Sequence, residues 1–177
     1  MKRYFFMEQD KNIRDCICLE QFDIKGPKHI FRKKDAYRLN DTTVLYLADN
    51  GGEIAPDFLQ SPVYMVSEKV QKVLSMYEES LIFKRVVMID MANASQRMYY
   101  HVLFEEVEGL APSTERYPDG TEKNICLSRE KIDGYRAFML KDSRKKVPVI
   151  SLEVAESLLR RNLIGVELKE IEVTNGK

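Results

Sequence analysis

The 177-residue chain has no tryptophan, only two histidines and no excess of charge of either sign. Its 28 basic residues equal its 28 acidic residues, whereas a general nucleic-acid binder usually carries a basic excess that neutralises phosphates. We therefore predict that nucleic acid is not a partner of this protein. In the absence of tryptophan, nine tyrosines and eight phenylalanines supply the large side chains for a core.

Long hydrophobic runs are also missing. No segment approaches the roughly 18 apolar residues of a membrane-spanning helix, and no apolar stretch typical of a signal peptide follows the basic start of the chain. The cysteines number three, so any disulfide pairing within the chain leaves at least one thiol free. These features predict a soluble, cytoplasmic protein in a reducing environment, with no membrane as a partner.

What the chain does contain is one pattern in two copies. Residues 62–88 read PVYMVSEKVQKVLSMYEESLIFKRVVM, and residues 148–173 read PVISLEVAESLLRRNLIGVELKEIEV. Each copy starts with Pro-Val, runs through an apolar stretch to a serine, continues with helical periodicity and returns as an alternating strand. Ser67 and Ser151 are predicted N-caps, because a serine hydroxyl can accept a hydrogen bond from a free amide in the first helical turn.

The two copies align mainly at apolar positions. The matched pairs are Ser67 with Ser151, Val70 with Val154, Leu74 with Leu158, Leu81 with Val166, Phe83 with Leu168 and Val86 with Ile171. Such matches predict shared packing rather than a shared catalytic group. Chance similarity is the alternative, because periodicity alone produces much of the match.

These patterns predict an α+β fold with a mainly antiparallel sheet and two amphipathic helices, one from each strand–Ser–helix–strand unit. We expect residues 56–177 to form an α+β domain that contains both units. Residues 1–55 are predicted to be strands and loop, either in the same domain or in a small lobe. Residues 108–124 are the clearest loop, with a turn at residues 118–120. Asn162 is a predicted helix stop, because asparagine tolerates the left-handed conformation.

The cysteines give little support for a metal or redox site. Cys16 and Cys18 are close in sequence, but Cys126 and the two histidines are isolated. A structural zinc site needs four ligands, typically with a second close pair, and the usual redox motif has two residues between its cysteines. We interpret the three thiols as small buried or half-buried side chains and expect no metal ion and no cofactor.

A few titratable side chains are candidates for catalysis. His101, in the segment YYHVLF, is a candidate general base, although no serine or cysteine can be assigned to it; the alternative is a strand histidine on a polar face. Glu106 and Glu108 share one face if their segment is extended, and the alternative is that they are solvated charges at a strand end. We interpret His29 as a solvated loop residue.

Two short basic runs occupy residues 32–34 and 144–146. Either run can contact phosphates or an acidic partner, and Phe31 beside the first run makes base stacking conceivable. The zero net charge favours the simpler interpretation that both runs are solvated loop charges.

The segments SPVYMVSEKVQKVL…LIFKRVVM and VPVISLEVAESLLRRNLIGVELKEIEV resemble a bacterial family of immunity proteins of polymorphic-toxin systems, formerly a domain of unknown function. The resemblance extends from about Asp57 to Val173 and rests on structural motifs without a catalytic signature. It implies a protein that is not an enzyme and that neutralises a cognate protein toxin by stoichiometric binding. The resemblance assigns no binding residue to a position in this chain.

Tyr117, in the loop 108–124, is the candidate for contact with such a partner, because loops on a rigid scaffold often carry recognition. An ordinary mobile loop is the alternative. Two other functions stay open from the sequence. One is an enzyme with a dispersed active site near His101 and Glu106, and the other is a structural or adaptor domain that forms a homo-oligomer through an exposed strand edge.

Overall fold

The computed structural model describes residues 2–20 and 32–175, which contain thirteen strands, three α-helices and a 3-10 helix at Lys33–Arg38. The strands are β1 (Tyr4–Gln9), β2 (Thr42–Tyr46), β3 (Phe58–Leu59), β4 (Met65–Ser67), β5 (Ile82–Asp90), β6 (Ser95–Leu103), β7 (Glu106–Val107), β8 (Glu115–Arg116), β9 (Glu122–Asn124), β10 (Cys126–Ser128), β11 (Ala137–Leu140), β12 (Pro148–Ser151) and β13 (Val166–Thr174). The helices are α1 (Glu68–Tyr77), α2 (Arg129–Ile132) and α3 (Leu152–Leu159). Strands and helices together confirm the predicted α+β class. None of the helices in the described residues is long and apolar enough to cross a membrane.

A five-stranded sheet has the order β2-β5-β6-β4-β3 and contains the first unit. Strands β4 and β5 both pair antiparallel with β6, so they are parallel to each other and α1 forms the crossover between them. At the edges of this sheet, β2 is parallel to β5 and β3 is antiparallel to β4.

A six-stranded sheet has the order β10-β13-β1-β12-β11-β7 and contains the second unit. Strands β12 and β13 flank β1 in the same antiparallel sense, β10 is parallel to β13, and β11 is antiparallel to β12. Five neighbouring strands therefore have the same order and sense in the two sheets. Both sheets are mixed, and antiparallel pairs outnumber parallel pairs in each, as the sequence predicted. The strands divide between two large sheets, however, whereas a single sheet was expected.

The pairing registers of the two sheets also agree. In the five-stranded sheet, Tyr99 of β6 lies between Ser67 and Val86. In the six-stranded sheet, Tyr4 of β1 lies between Ser151 and Ile171. The serine pair and the Val86–Ile171 pair are those aligned in the sequence, so the structure places these matched residues at equivalent positions. We call positions with the same register in the two sheets equivalent.

A shared hydrogen bond supports this equivalence. The Tyr99 hydroxyl donates to the Pro56 carbonyl oxygen at 2.8 Å, and the Tyr4 hydroxyl donates to the Tyr135 carbonyl oxygen at 3.3 Å. Both carbonyls lie just before the hairpin that leads into a unit. The same tyrosine contact therefore ties the central strand of each sheet to the start of its hairpin.

The central strands differ in how the chain supplies them. Strand β6 follows β5 directly through a turn at residues 91–94, whereas β1 comes from the start of the chain. Two strands from the first 55 residues thus belong to different sheets, with β1 inside the six-stranded sheet and β2 at the edge of the five-stranded sheet.

Helices α1 and α3 contact each other and contribute to a central hydrophobic cluster that also includes residues from both sheets. Its helix residues are Val70, Val73, Leu74, Val154, Ala155 and Leu158. Two further clusters lie on the opposite faces of the sheets, and they contain Tyr4 and Tyr99, respectively. Burial of each large apolar side chain contributes about 1.5–3 kcal/mol, so the predicted apolar stripes hold the two units together.

The predicted helix starts are confirmed in position, but their chemistry differs from the prediction. Helix α3 ends at Leu159, before the predicted stop at Asn162. Ser67 and Ser151 occupy the N-cap positions, yet neither hydroxyl bonds an amide of its helix. The Ser67 hydroxyl instead donates to the Asp57 carboxylate at 2.6 Å. A charged acceptor forms the stronger hydrogen bond, which explains this preference. Asn162 follows α3 with the left-handed φ of 49° that was predicted for it.

The segment 108–124 contains more regular secondary structure than the predicted loop, because it includes the hairpin of β8 and β9. The turn at residues 118–120 is present, and Gly120 has a φ of 82°, which a glycine adopts without strain. The hairpin strands are short and charged, so they lack the apolar alternation that identifies a strand in sequence.

Candidate functional site

His101 lies on β6, where it faces Met65 of β4 and Lys84 of β5. Its side chain is buried, and its Nε2 atom has no hydrogen-bond partner among the described residues. Burial lowers the pKa of His101 to about 4, so the imidazole is neutral near pH 7. The equivalent position in the six-stranded sheet holds Phe6, which indicates that His101 fills a core position rather than the polar face expected from the sequence.

The carboxylates singled out in the sequence do not form a catalytic pair. Glu108 accepts a hydrogen bond from Lys141 Nζ at 2.7 Å, and this contact lowers the pKa of its carboxyl. Glu106 lies on β7, at the edge of the six-stranded sheet, whereas His101 lies in the other sheet. The structure therefore does not place the proposed base and carboxylate on one sheet surface.

The three cysteines are free thiols with different surroundings. Cys126 is buried, Cys18 is exposed, and the half-buried Cys16 has a pKa raised mainly by burial. No group of three or more histidine, cysteine or acidic side chains is arranged to hold a metal ion in residues 2–20 and 32–175.

A depression of about 470 Å³ lies where the segment around Cys18 passes the turn at residues 48–53. Asp49, Glu53 and Asp90 line it together with Arg97. Asp90 accepts hydrogen bonds from the amide and side chain of Asn93, which lower the pKa of its carboxyl. The Asp90 carboxylate thus has a structural role in the turn between β5 and β6.

The two basic runs are largely compensated by contacts within the chain. Three of their side chains form ion pairs: Lys33 with Glu105 at 2.7 Å, Lys145 with Glu8 at 2.7 Å and Arg32 with Asp35 at 3.6 Å. Lys145 Nζ also lies 4.1 Å from the centre of the Phe6 ring, a cation–π contact. These three side chains therefore have ion-pair partners within the chain, which the interpretation as solvated loop charges did not include. His29 and Phe31 lie outside the described residues.

Tyr117 lies in the hairpin of β8 and β9, with 52% of its surface exposed. Its amide donates to the Thr121 carbonyl oxygen at 2.8 Å, which closes the turn. The Arg116 guanidinium donates to the Asp142 carbonyl oxygen and to Glu122, each at 3.2 Å. The bond to Asp142 ties the hairpin to another segment of the same chain, so Tyr117 lies on a hairpin that is fixed by hydrogen bonds. Its contact with a partner stays a prediction.

Asp57 is a structural residue that sequence reasoning missed. Its buried carboxylate accepts hydrogen bonds from the Ser67 hydroxyl at 2.6 Å and from the Ile164 amide at 2.7 Å. It thereby joins the first unit to the connection between α3 and β13. Equivalent Arg136 makes a related link, since its amide donates to Glu78 Oε2 at 2.9 Å, just after α1. The sequence carries no local signal of this role, because Ser67 and Ile164 reach Asp57 only through the fold.

Comparison of the chain with models of known protein families and with curated proteins found no match.

Proposed function

We propose that this protein is an immunity protein, which neutralises a cognate bacterial toxin by stoichiometric binding in the cytoplasm. The observation that carries the proposal is the resemblance between about Asp57 and Val173, together with the structure of the segments on which it rests. Residues 62–88 and 148–173 form two units with the same strand order and register. The pattern behind the resemblance is therefore the framework of both sheets.

The surroundings of the titratable residues are compatible with a binding role. His101 is buried and neutral, Glu108 is paired with Lys141, and Asp57 serves as a link between the units. Each of these groups has a structural explanation. A binding protein of this type uses a rigid framework to present a few exposed anchor side chains, which contribute most of the binding free energy.

Co-expression tests this proposal. The products of the genes that neighbour the gene for this protein are each produced in bacterial cells. A product that stops growth is taken as the candidate toxin domain and is then produced with and without the protein. We expect cells with both proteins to grow and cells with the toxin domain alone to stop growing. Growth arrest in both cultures, at equal toxin levels and with the protein present in folded form, would contradict the proposal.

A further inference from the structure

One face of the five-stranded sheet carries exposed apolar side chains that the core does not use. Val44 of β2, Val87 of β5 and Met98 of β6 lie side by side, and Tyr46 and Ile89 form the next row. Val44, Tyr46 and Met98 are 49%, 46% and 39% exposed, while Val87 and Ile89 are half-buried. We call these five residues the apolar β-face.

The apolar β-face continues a surface that α1 covers in part. Tyr100 and Val102 point to the same side of β6 as Met98, because side chains alternate along a strand. Val102 belongs to the central cluster, which also contains helix residues such as Val73. Tyr100 packs against this cluster. The sheet therefore extends beyond its helix, and the uncovered part is apolar.

The six-stranded sheet shows that the fold does not require apolar residues at these positions. Its equivalent residues are Cys126 for Val44, Ser128 for Tyr46, Glu172 for Val87, Thr174 for Ile89 and Arg3 for Met98. Polar and charged side chains thus occupy most of the same backbone positions. Since the same architecture accepts both sets, the apolar set has another role, and an exposed contiguous apolar patch typically marks an interaction site.

The two sheets also differ in how these strand edges are covered. The chain at residues 109–111 bonds β10 through the Ser128 amide and the Cys126 carbonyl oxygen, and both of these residues are buried. On β2, the Tyr46 carbonyl oxygen accepts a bond from the Glu20 amide at 2.8 Å, but the Val44 and Tyr46 side chains stay exposed. The apolar side chains therefore remain accessible even where the edge is paired.

The charge on this face indicates the chemistry of its partner. Arg85 is exposed beside Val87, and it forms no ion pair within the described part of the chain. At the equivalent position, Glu170 accepts two hydrogen bonds from Arg3, at 2.5 and 2.6 Å. On this side of the sheet, none of the side chains from β2 (Thr42–Tyr46), β5 (Ile82–Asp90) or β6 (Ser95–Leu103) is a carboxylate. An unpaired guanidinium next to an apolar patch fits a protein surface with apolar anchors and a carboxylate.

We propose that the apolar β-face is the docking surface for the toxin, with Arg85 pairing a carboxylate of that partner. This inference rests on the proposed function and adds its location. It places the main contact on the five-stranded sheet rather than on the hairpin that carries Tyr117.

The test replaces residues of this face with those that the six-stranded sheet accepts, namely Val87→Glu and Tyr46→Ser. Affinity for the purified toxin domain identified by the co-expression experiment is measured by calorimetry, with Leu159→Glu as the matched control. Leu159 is 64% exposed at the end of α3, a helix whose main contacts are with β1, β12 and α1 rather than with β2, β5 or β6. We expect each face variant to bind about 30-fold more weakly, a loss typical of an interface anchor, and the control to bind like the wild type.

Thermal unfolding of each variant separates lost binding from lost folding, and Tyr46→Ser keeps the test valid if Val87→Glu unfolds. Wild-type affinity in both face variants would overturn the inference and leave the proposed function intact. The affinity of Tyr117→Ala is measured in the same way. If only this variant loses affinity, the inference is overturned and the hairpin is the docking surface. If wild-type protein alone is a dimer and Val87→Glu makes it monomeric, the face binds a second copy instead. Absence of wild-type binding would overturn the proposed function itself.

Discussion

His101 is a titratable side chain at a position where the other sheet has Phe6. Because burial lowers its pKa from 6.5 to about 4, the unfolded chain binds a proton more tightly than the folded chain. The stability that depends on neutral His101 is therefore fully present above pH 6.5 and is lost as the pH falls towards 4.

Substitution of His101→Phe tests this protonation effect. Between pH 7 and pH 4, wild-type protein should lose about 3 kcal/mol more of its free energy of unfolding than the variant. Urea unfolding at several pH values measures the difference, and the variant serves as a control for the acid sensitivity of the carboxylates. Parallel pH profiles for the two proteins would show that His101 is not buried in a neutral form.

Asp57 supports a second prediction at the residue scale. Asp57→Ala removes a buried acceptor from the Ser67 hydroxyl and the Ile164 amide, so it should lower the free energy of unfolding by about 2–4 kcal/mol. The matched control is Asp41→Ala, because the Asp41 side chain is 95% exposed and pairs with Lys84. We expect a much smaller change for this control, because exposed ion pairs contribute little to stability. Equal effects in chemical denaturation would contradict the assigned role of Asp57.

The sequence makes some of these residues visible and hides others. His101 stands out because histidine is rare in this chain, but its burial depends on strand partners far away in sequence. Asp57 has no local signal of its role, because Ile164 reaches it only through the fold. Tyr117 could be predicted as a loop residue, and its exposure agrees with that prediction.

At the scale of elements, the connection after α3 depends on Gly165. Its φ is 73°, and a Cβ at this position would lie 2.6 Å from the Pro56 Cβ. The Gly165 carbonyl oxygen also accepts a hydrogen bond from the Asp10 amide at 3.0 Å. This connection therefore brings together the start of the first unit, the end of β1 and the start of β13.

Two glycine substitutions separate backbone strain from packing in this connection. Gly134 also has a positive φ, of 90°, but no atom lies within 4 Å of a Cβ placed there. Gly134→Ala should thus cost only the conformational penalty, about 1–2 kcal/mol, whereas Gly165→Ala should cost clearly more because it also displaces Pro56. Thermal unfolding compares the two variants, and an equal loss would show that Pro56 moves aside freely.

The elements themselves were predictable where the pattern is local. The apolar stripes of α1 and α3 identify both helices, and alternation identifies β13. The hairpin of β8 and β9 was missed because its strands are short and charged. The serine caps were located correctly, but the competing acceptor on Asp57 depends on tertiary structure.

At the scale of the whole molecule, the strand order could not be predicted from local sequence patterns. Strand β1 pairs with β12 and β13, near the opposite end of the chain, and no periodicity reveals that partnership. The repeated pattern did predict that two units share a way of packing. Pairing registers extend the likeness to five strands in each sheet, although the central strand comes from different parts of the chain.

The difference between the two sheets gives the molecule its asymmetry. The six-stranded sheet carries ion pairs such as Arg3–Glu170 on the side that faces its helix. The five-stranded sheet exposes the apolar β-face at the equivalent positions. Two surfaces built on one framework therefore have different chemistry. Under the proposed function, this difference directs the partner to one of the two sheets.

The most direct measurement of the central claim is the mass and stoichiometry of a complex with the toxin domain identified by co-expression. Light scattering on a purified mixture reports the mass, while calorimetry reports the ratio and the affinity. We predict a stable complex with a fixed ratio, together with loss of toxin activity at that same ratio. Two proteins that elute separately, with the toxin fully active in excess of this protein, would contradict the account.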